Sequence, residues 1–282
     1  MVDTIVPVEH GQIHVEDRGA GPTLVFLHGL LVDRDLWRQV VDELSDHYRC
    51  VSIDLPLGSH RTAMRPDADL SPPALAGMVH AVLRHLDLSD ITLVGLDTGG
   101  AIAQITLAQD ASRVARLILA DCDGYDHFPP PLLTPFKALG FVSPLAHLVL
   151  CNVHRRPLRD LLISLVMRTR DSDRERRWLL PMSRDAGLRR DAIKVLRGVH
   201  RRYTLDAVPA LRAFDRPALV LWGAHDRVFP RHDAHRLVAD LPDARLRIIE
   251  GAGTFTPVDN PRDTVRPQRQ RVPLAGRHHG RS

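Results

Sequence analysis

A chain of 282 residues that is 44% hydrophobic and 26% charged has enough apolar material for one large folded domain and excludes wholesale disorder. Its apolar runs, such as 23–27 and 91–94, fall far short of the roughly 20 residues that a membrane-spanning helix needs, and three widely spaced cysteines without a CxxC pair give neither a disulfide framework nor a zinc site. The net charge of +4 is concentrated in residues 262–282, which carry six arginines against one aspartate, so the body of the chain has no nucleic-acid footprint. The opening Met1-Val2-Asp3 lacks a basic and apolar signal peptide, and a cytoplasmic location is expected.

In chain order, Val-, Ile- and Leu-rich runs predict strands near 4–8, 12–16, 23–28, 48–53, 91–96, 115–120, 217–222 and 245–249. The first two read as a hairpin through His10-Gly11, and the rest are near-continuous apolar runs, the pattern of strands covered by helices on both faces. Amphipathic spacing predicts helices near 35–46, 73–87, 99–109 and 231–240. The alternation is that of a mostly parallel α/β sheet of eight strands flanked by helices.

Between Asp121 and Pro217 the pattern changes. Pro129 to Pro131 open a stretch whose apolar residues (Leu158, Leu161, Leu162, Leu165; later Leu188, Ile193, Leu196) fall only at helical spacing. We read 124–210 as a helical lid inserted into a core formed by 1–123 and 211–261. The charge run Arg168 to Arg177 reads as a solvated face. Residues 262–282, with Pro267, Pro273 and repeated Arg, read as a flexible basic tail that cannot form a closing helix.

The most specific signal is Leu93-Val94-Gly95-Leu96-Asp97-Thr98-Gly99-Gly100, a strand entering Gly-x-Asp-x-Gly and then a helix. A sharp strand-to-helix turn needs small residues beside its apex, and the apex side chain is then held above the sheet. The plainer reading is that Asp97 only caps the next helix. Three more segments end strands in the same order: Phe26-Leu27-His28-Gly29, Ile53-Asp54-Leu55-Pro56, and Trp222-Gly223-Ala224-His225-Asp226-Arg227.

With these four segments the chain resembles the α/β-hydrolase superfamily over about residues 4–261, and the aspartate at the turn resembles the branch of haloalkane dehalogenases and epoxide hydrolases. The resemblance implies an α/β-hydrolase fold and a hydrolase that acts, without metal or organic cofactor, on a small and mostly apolar ester, epoxide or halide. It makes Asp97 the nucleophile, Asp226 the acid that orients a histidine, and the backbone N–H groups of Leu30 and Thr98 the oxyanion hole. A carboxylate attacks without a base and forms an ester on itself, and water must then be deprotonated to release product.

The sequence departs from that pattern at one decisive place. The family's histidine follows the last strand, and here Gly251-Ala252-Gly253-Thr254-Phe255 puts Thr254 in its position; threonine has no basicity near neutral pH. Three readings stay open: a substitute base among His225, His60 and His127, Asp97 acting as a general base without a covalent step, or a protein of this fold that binds without turnover. Asp121 and Asp123 stand at a second place where the superfamily puts its acid, although both also suit loop capping. The Trp that follows the nucleophile in haloalkane dehalogenases is here Thr98. Epoxide hydrolases use two lid tyrosines; here only Tyr125 and Tyr203 lie in or near the lid and both read as packing residues, and His28 reads as structural. The expected partner is a small-molecule substrate, with neither nucleic acid nor membrane, for a monomer or homodimer.

Overall fold

The computed structural model describes residues 1–270. Strands β1 (Val2–Val8) and β2 (Gly11–Arg18) form the hairpin, with Val8 opposite Gly11, so the turn is Glu9-His10, one residue earlier than expected. Then follow β3 (Thr23–Leu27), α1 (Arg38–Leu44), β4 (Arg49–Asp54), α2 (Pro72–His85), β5 (Ile91–Asp97), α3 (Thr98–Gln109) and β6 (Val114–Cys122). Five helices come next: α4 (Thr134–Phe141), α5 (Ser143–Asn152), α6 (Leu158–Val166), α7 (Ser172–Arg184) and α8 (Ala186–Gly198). The chain returns through α9 (Arg201–Ala213), β7 (Ala218–Gly223), α10 (Arg231–Asp240), β8 (Ala244–Ile249), α11 (Thr256–Asp259) and α12 (Pro261–Gln270).

The eight strands form one sheet in the order β1-β2-β4-β3-β5-β6-β7-β8, antiparallel at the β1-β2 and β2-β4 pairings and parallel from β4 onward. Parallel pairing requires crossovers that cover both faces, and β5 is accordingly buried along its whole length. One face packs Val25, Val51 and Leu93 against α2 and α3; the other packs Phe26, Val94 and Ile118 against Trp37 and α1. No described helix is long and apolar enough to cross a membrane.

Helices α4 to α8 form the insert between β6 and β7; the expected lid boundary at 210 falls inside α9, which packs along α3 on the core, because a helical apolar spacing alone does not say which body the helix packs on. Aspartates set the helix starts within the insert: Asp171 accepts from the N–H groups of Asp173 and Arg174, and Asp185 from those of Gly187 and Leu188.

The run Arg168 to Arg177 is solvated over most of its length, as expected, but Arg174 and Glu175 at its centre are buried. Glu175, completely buried on α7, pairs with Arg159 of α6 at 3.2 Å and Arg170 at 2.7 Å, and buried Arg174 reaches Asp35 at 3.5 Å. Charge runs stay in water unless opposite charges converge on them, as they do here. We expect Glu175→Gln, which removes the buried carboxylate but leaves Arg159 and Arg170 their contacts with Asp160, to cost on the order of 1–2 kcal/mol, read as a lower denaturant midpoint and faster proteolysis within 155–185.

The closing segment also differs. A helix does form over Pro261–Gln270 and runs through Pro267. Pro261 occupies its first position, where the missing N–H costs nothing, and Asn260 accepts from the N–H of Asp263. Buried Thr264 and Val265 dock it beside α1, the Thr264 hydroxyl lying 2.8 Å from the Asn260 carbonyl and 3.1 Å from that of Thr256. This tertiary anchoring outweighs the single backbone hydrogen bond that Pro267 removes. Residues 271–282, including Pro273, lie outside the described residues.

Candidate active site

Asp97 ends β5 and is followed at once by α3, with φ +56° and ψ −131°. A non-glycine residue held there is strained, and such strain persists only when surrounding packing enforces it. The enforcement comes from the close approach of α3 to β3: a Cβ on Gly99 would lie 2.5 Å from the carbonyl oxygens of Leu27 and His28. Leu31, Asp121 and Tyr125, which surround the same corner, also have positive φ.

The Asp97 carboxyl lines a pocket beneath the insert. Its walls are mostly apolar, with Leu30, Phe128, Leu162, Trp178, Leu179 and Phe255 among them; Asp97, Thr98, Asp123 and Lys137 are the polar side chains that reach it. The Leu30 N–H donates to Asp97 Oδ2 at 3.1 Å, so the predicted oxyanion donor already holds one carboxylate oxygen. The Thr98 backbone N–H also binds this carboxylate. Burial, opposed by these donors and reinforced by the charge of Asp226, pushes the Asp97 carboxyl up to about 7.

A second carboxyl shares the pocket. Cys122 is the cross-strand partner of Asp97, and Asp123 follows it. The Thr98 hydroxyl lies 3.4 Å from both Asp97 Oδ1 and Asp123 Oδ2, whereas Asp123 Oδ1 is buried without a hydrogen-bond partner. Burial and the neighbouring Asp97 charge hold Asp123 well above the usual carboxylate range.

Asp226 lies beyond β7, where the N–H groups of Val228 and Phe229 donate to its Oδ1. The Thr254 hydroxyl donates to the same oxygen at 2.6 Å. Position 254 therefore addresses Asp226 as an imidazole N–H would, but ends in a hydroxyl. Asp121 accepts from the Gly223 N–H at 2.6 Å and is held well above the usual range by burial and by the charge of Asp226. Asp121 thus sits behind Asp226, and Asp123 in front of Asp97.

None of the three substitute histidines reaches the Asp97 pocket. His60 is buried against Asp191 at 3.2 Å, and His127 is held by Asp233 at 2.6 Å. His225 lines a separate surface groove with Arg168 and Arg227. Each was inferred from its place near a strand end, but strand ends fan over a wide rim and a neighbouring carboxylate captured each of the first two. His28 is structural: fully buried, it bonds the Gly29 carbonyl at 2.9 Å, and burial pushes it down to about 4. Tyr125 donates to Asp240, and Tyr203 contacts Arg202; neither lines the pocket. Trp178 does line it, edge-on to Phe255, but its indole N–H is spent on Asp33 at 3.0 Å.

The sequence reading missed the bridge made by the Thr98 hydroxyl. The signal available was Asp121-Cys122-Asp123: two acids flank one residue at a strand exit, and the positive φ of Asp121 sends them to different partners.

The comparisons agree with this architecture. The uncharacterized hydrolase YugF of Bacillus subtilis is 27% identical over 242 residues, covering 85% of each chain. Haloalkane dehalogenase 2 of Mycobacterium tuberculosis is 26% identical over 257 residues, covering 89% of this chain and 88% of that one. Among solved structures, a mutant of the haloalkane dehalogenase DatA of Agrobacterium tumefaciens superposes with a TM-score of 0.81 at 19% identity, covering 95% of each chain. The alpha/beta hydrolase family model matches residues 24–267, and with the eight-stranded sheet, the strained turn at its centre and the helical insert above it, the chain belongs to the alpha/beta hydrolase family.

Proposed function

We propose that the protein is a hydrolase that opens a small, mostly apolar substrate by attack of the Asp97 carboxylate, forming an ester on that side chain which water then cleaves. The observation that carries this reading is the carboxyl itself. It stands at the strained apex of the turn, faces a mostly apolar pocket, and has Oδ2 held by the Leu30 N–H.

With Oδ2 held by the Leu30 N–H, Oδ1, whose contact with the Thr98 hydroxyl is long at 3.4 Å, is the attacking atom. Once Oδ1 is esterified, Oδ2 becomes the carbonyl oxygen, and the negative charge that gathers there when water attacks meets the Leu30 and Thr98 N–H groups already in place. The likeness to a haloalkane dehalogenase supports attack by a carboxylate. Asp226, with three donors on Oδ1, is the acid of this reading.

A second reading, ligand binding without turnover, draws on one observation: Thr254 stands where the water-activating histidine belongs. Intact-protein mass spectrometry after incubation with 1-bromobutane, styrene oxide and p-nitrophenyl butyrate separates the two. Covalent turnover predicts a transient or stable mass increase that maps to the peptide containing Asp97. Ligand binding with neither adduct nor product would establish the second reading.

A further inference from the structure

The pocket presents a pair of carboxyls, and the pair solves the problem that Thr254 poses. A hydroxyl has one proton to give and two lone pairs to receive. The Thr98 hydroxyl, equidistant from Asp97 Oδ1 and Asp123 Oδ2 at 3.4 Å, can donate to only one of them. The other oxygen is satisfied only if it carries a proton and donates to Thr98. Asp97 accepts backbone N–H groups on its carboxylate, the environment of a charged group. Among the described residues Asp123 has no N–H donor, and its Oδ1 is buried, unpartnered and within the pocket wall. The satisfied chain therefore runs from Asp123 O–H to Thr98 Oγ1, and from Thr98 O–H to the Asp97 carboxylate.

We infer that Asp123 handles the protons for Asp97, first as the acid that protonates a leaving oxygen and then as the base that activates water, and that the substrate is an apolar epoxide. The inference rests on the nucleophilic role proposed for Asp97. In the first step Asp97 Oδ1 bonds to an epoxide carbon, the ring C–O bond breaks, and the ring oxygen takes the Asp123 proton. Asp97 is now a neutral ester and Asp123 a carboxylate. In the second step Asp123 takes one proton from water as the water oxygen bonds to Asp97 Cγ. The Cγ–Oδ1 bond then breaks, the other water proton ends on the departing diol, and both carboxyls return to their starting states. Neither lid tyrosines nor a histidine is needed.

Two further observations favour an oxygen leaving group over a halide. A halide departs without a proton but needs N–H donors, and the only indole in the pocket wall spends its N–H on Asp33. An alkoxide needs a proton, and Asp123 is placed to supply one. The charges that face the pair are Asp226 across from Asp97 and Asp233 beyond Asp123, with Lys137 on the pocket wall; both aspartates favour a retained proton in the pair.

The test compares the wild type with Asp123→Asn on styrene oxide, 1,2-epoxyhexane and 1-bromobutane, with epoxide single turnovers run in H2(18)O. We expect the wild type to form diol with the label entering the Asp97 carboxyl. Asp123→Asn should form diol at least about 100-fold more slowly, while 1-bromobutane still alkylates its Asp97 within a few-fold of the wild-type rate. Formate should restore part of the epoxide activity to Asp123→Ala. Diol formation by Asp123→Asn near the wild-type rate, with label still entering Asp97, would overturn the role of Asp123 and leave the nucleophile standing. Loss of bromobutane alkylation together with diol formation in Asp123→Asn would assign Asp123 a structural part and count against the proposal. Alkylation of wild-type Asp97 without turnover of either epoxide would overturn the substrate class. Absence of both alkylation and label in the wild type would remove Asp97 as nucleophile, and this inference with it.

Discussion

Asp97→Asn should abolish turnover, lowering it on the order of 10³-fold or more, and should at the same time stabilise the fold. An amide has almost the shape of the carboxylate but is a poor nucleophile, so neither adduct nor product should form. The stability change follows from linkage. The Asp97 carboxyl is pushed up from 3.8 to about 7 by burial in the folded chain, so between those values the folded state holds a proton that the unfolded state has released. Stability then falls as pH rises through that window and stays at its lower level above about 7. Asparagine removes the slope. Thermal unfolding at pH 8 should show the variant melting a few degrees above the wild type, with the difference shrinking toward pH 4. A variant that melts lower at pH 8 would mean that the carboxylate is better solvated than its burial implies. A variant that retains turnover would remove Asp97 from the chemistry.

Thr254→His should accelerate the release of an alkyl group from Asp97, with the largest effect on haloalkane-derived esters. The Thr254 hydroxyl already donates to Asp226 Oδ1, so an imidazole N–H can take over the contact and leave its other nitrogen free as a base. After alkylation by 1-bromobutane no proton has left Asp123, and release lacks its base. General-base catalysis contributes roughly 10²–10⁴-fold, and on the order of 10–100-fold faster decay of the adduct is expected at an engineered and crowded site. Thr254 is fully buried next to Phe255, itself buried against Trp178. The larger ring should cost about 1–3 kcal/mol, which a melting curve reads separately. A folded variant whose adduct decays at the wild-type rate would show that Asp226 does not direct position 254 toward the pocket.

These two variants divide the site along its history in the sequence. Asp97, Asp226, Leu30 and Thr98 were legible because backbone geometry places them. The turn at Asp97 requires Gly95, Gly99 and Gly100 around it, and their spacing is visible in the primary structure. Thr254 was legible as a gap in the same way. The substitute histidines were not, because strand ends are near one another in the chain's logic and yet open onto different sides of the molecule: His60 turns to Asp191, and His127 to Asp233.

All eight strands and the helices α1, α2, α3 and α10 follow from local patterns of apolar residues, since a strand buried on both faces and an amphipathic helix each carry their environment in their own spacing. Three features depend instead on residues distant in the chain. Glu175 is buried because Arg159 and Arg170 converge on it, and α12 forms over Pro267 because Thr264 and Val265 dock it to the body. Asp123 meets Asp97 because β5 and β6 pair in one register that sets Asp97 opposite Cys122. Local sequence carries the cost of placing a residue in helix, strand or turn, whereas the convergence of two carboxyls on the one Thr98 hydroxyl depends on separations of 3.4 Å that only the assembled sheet creates.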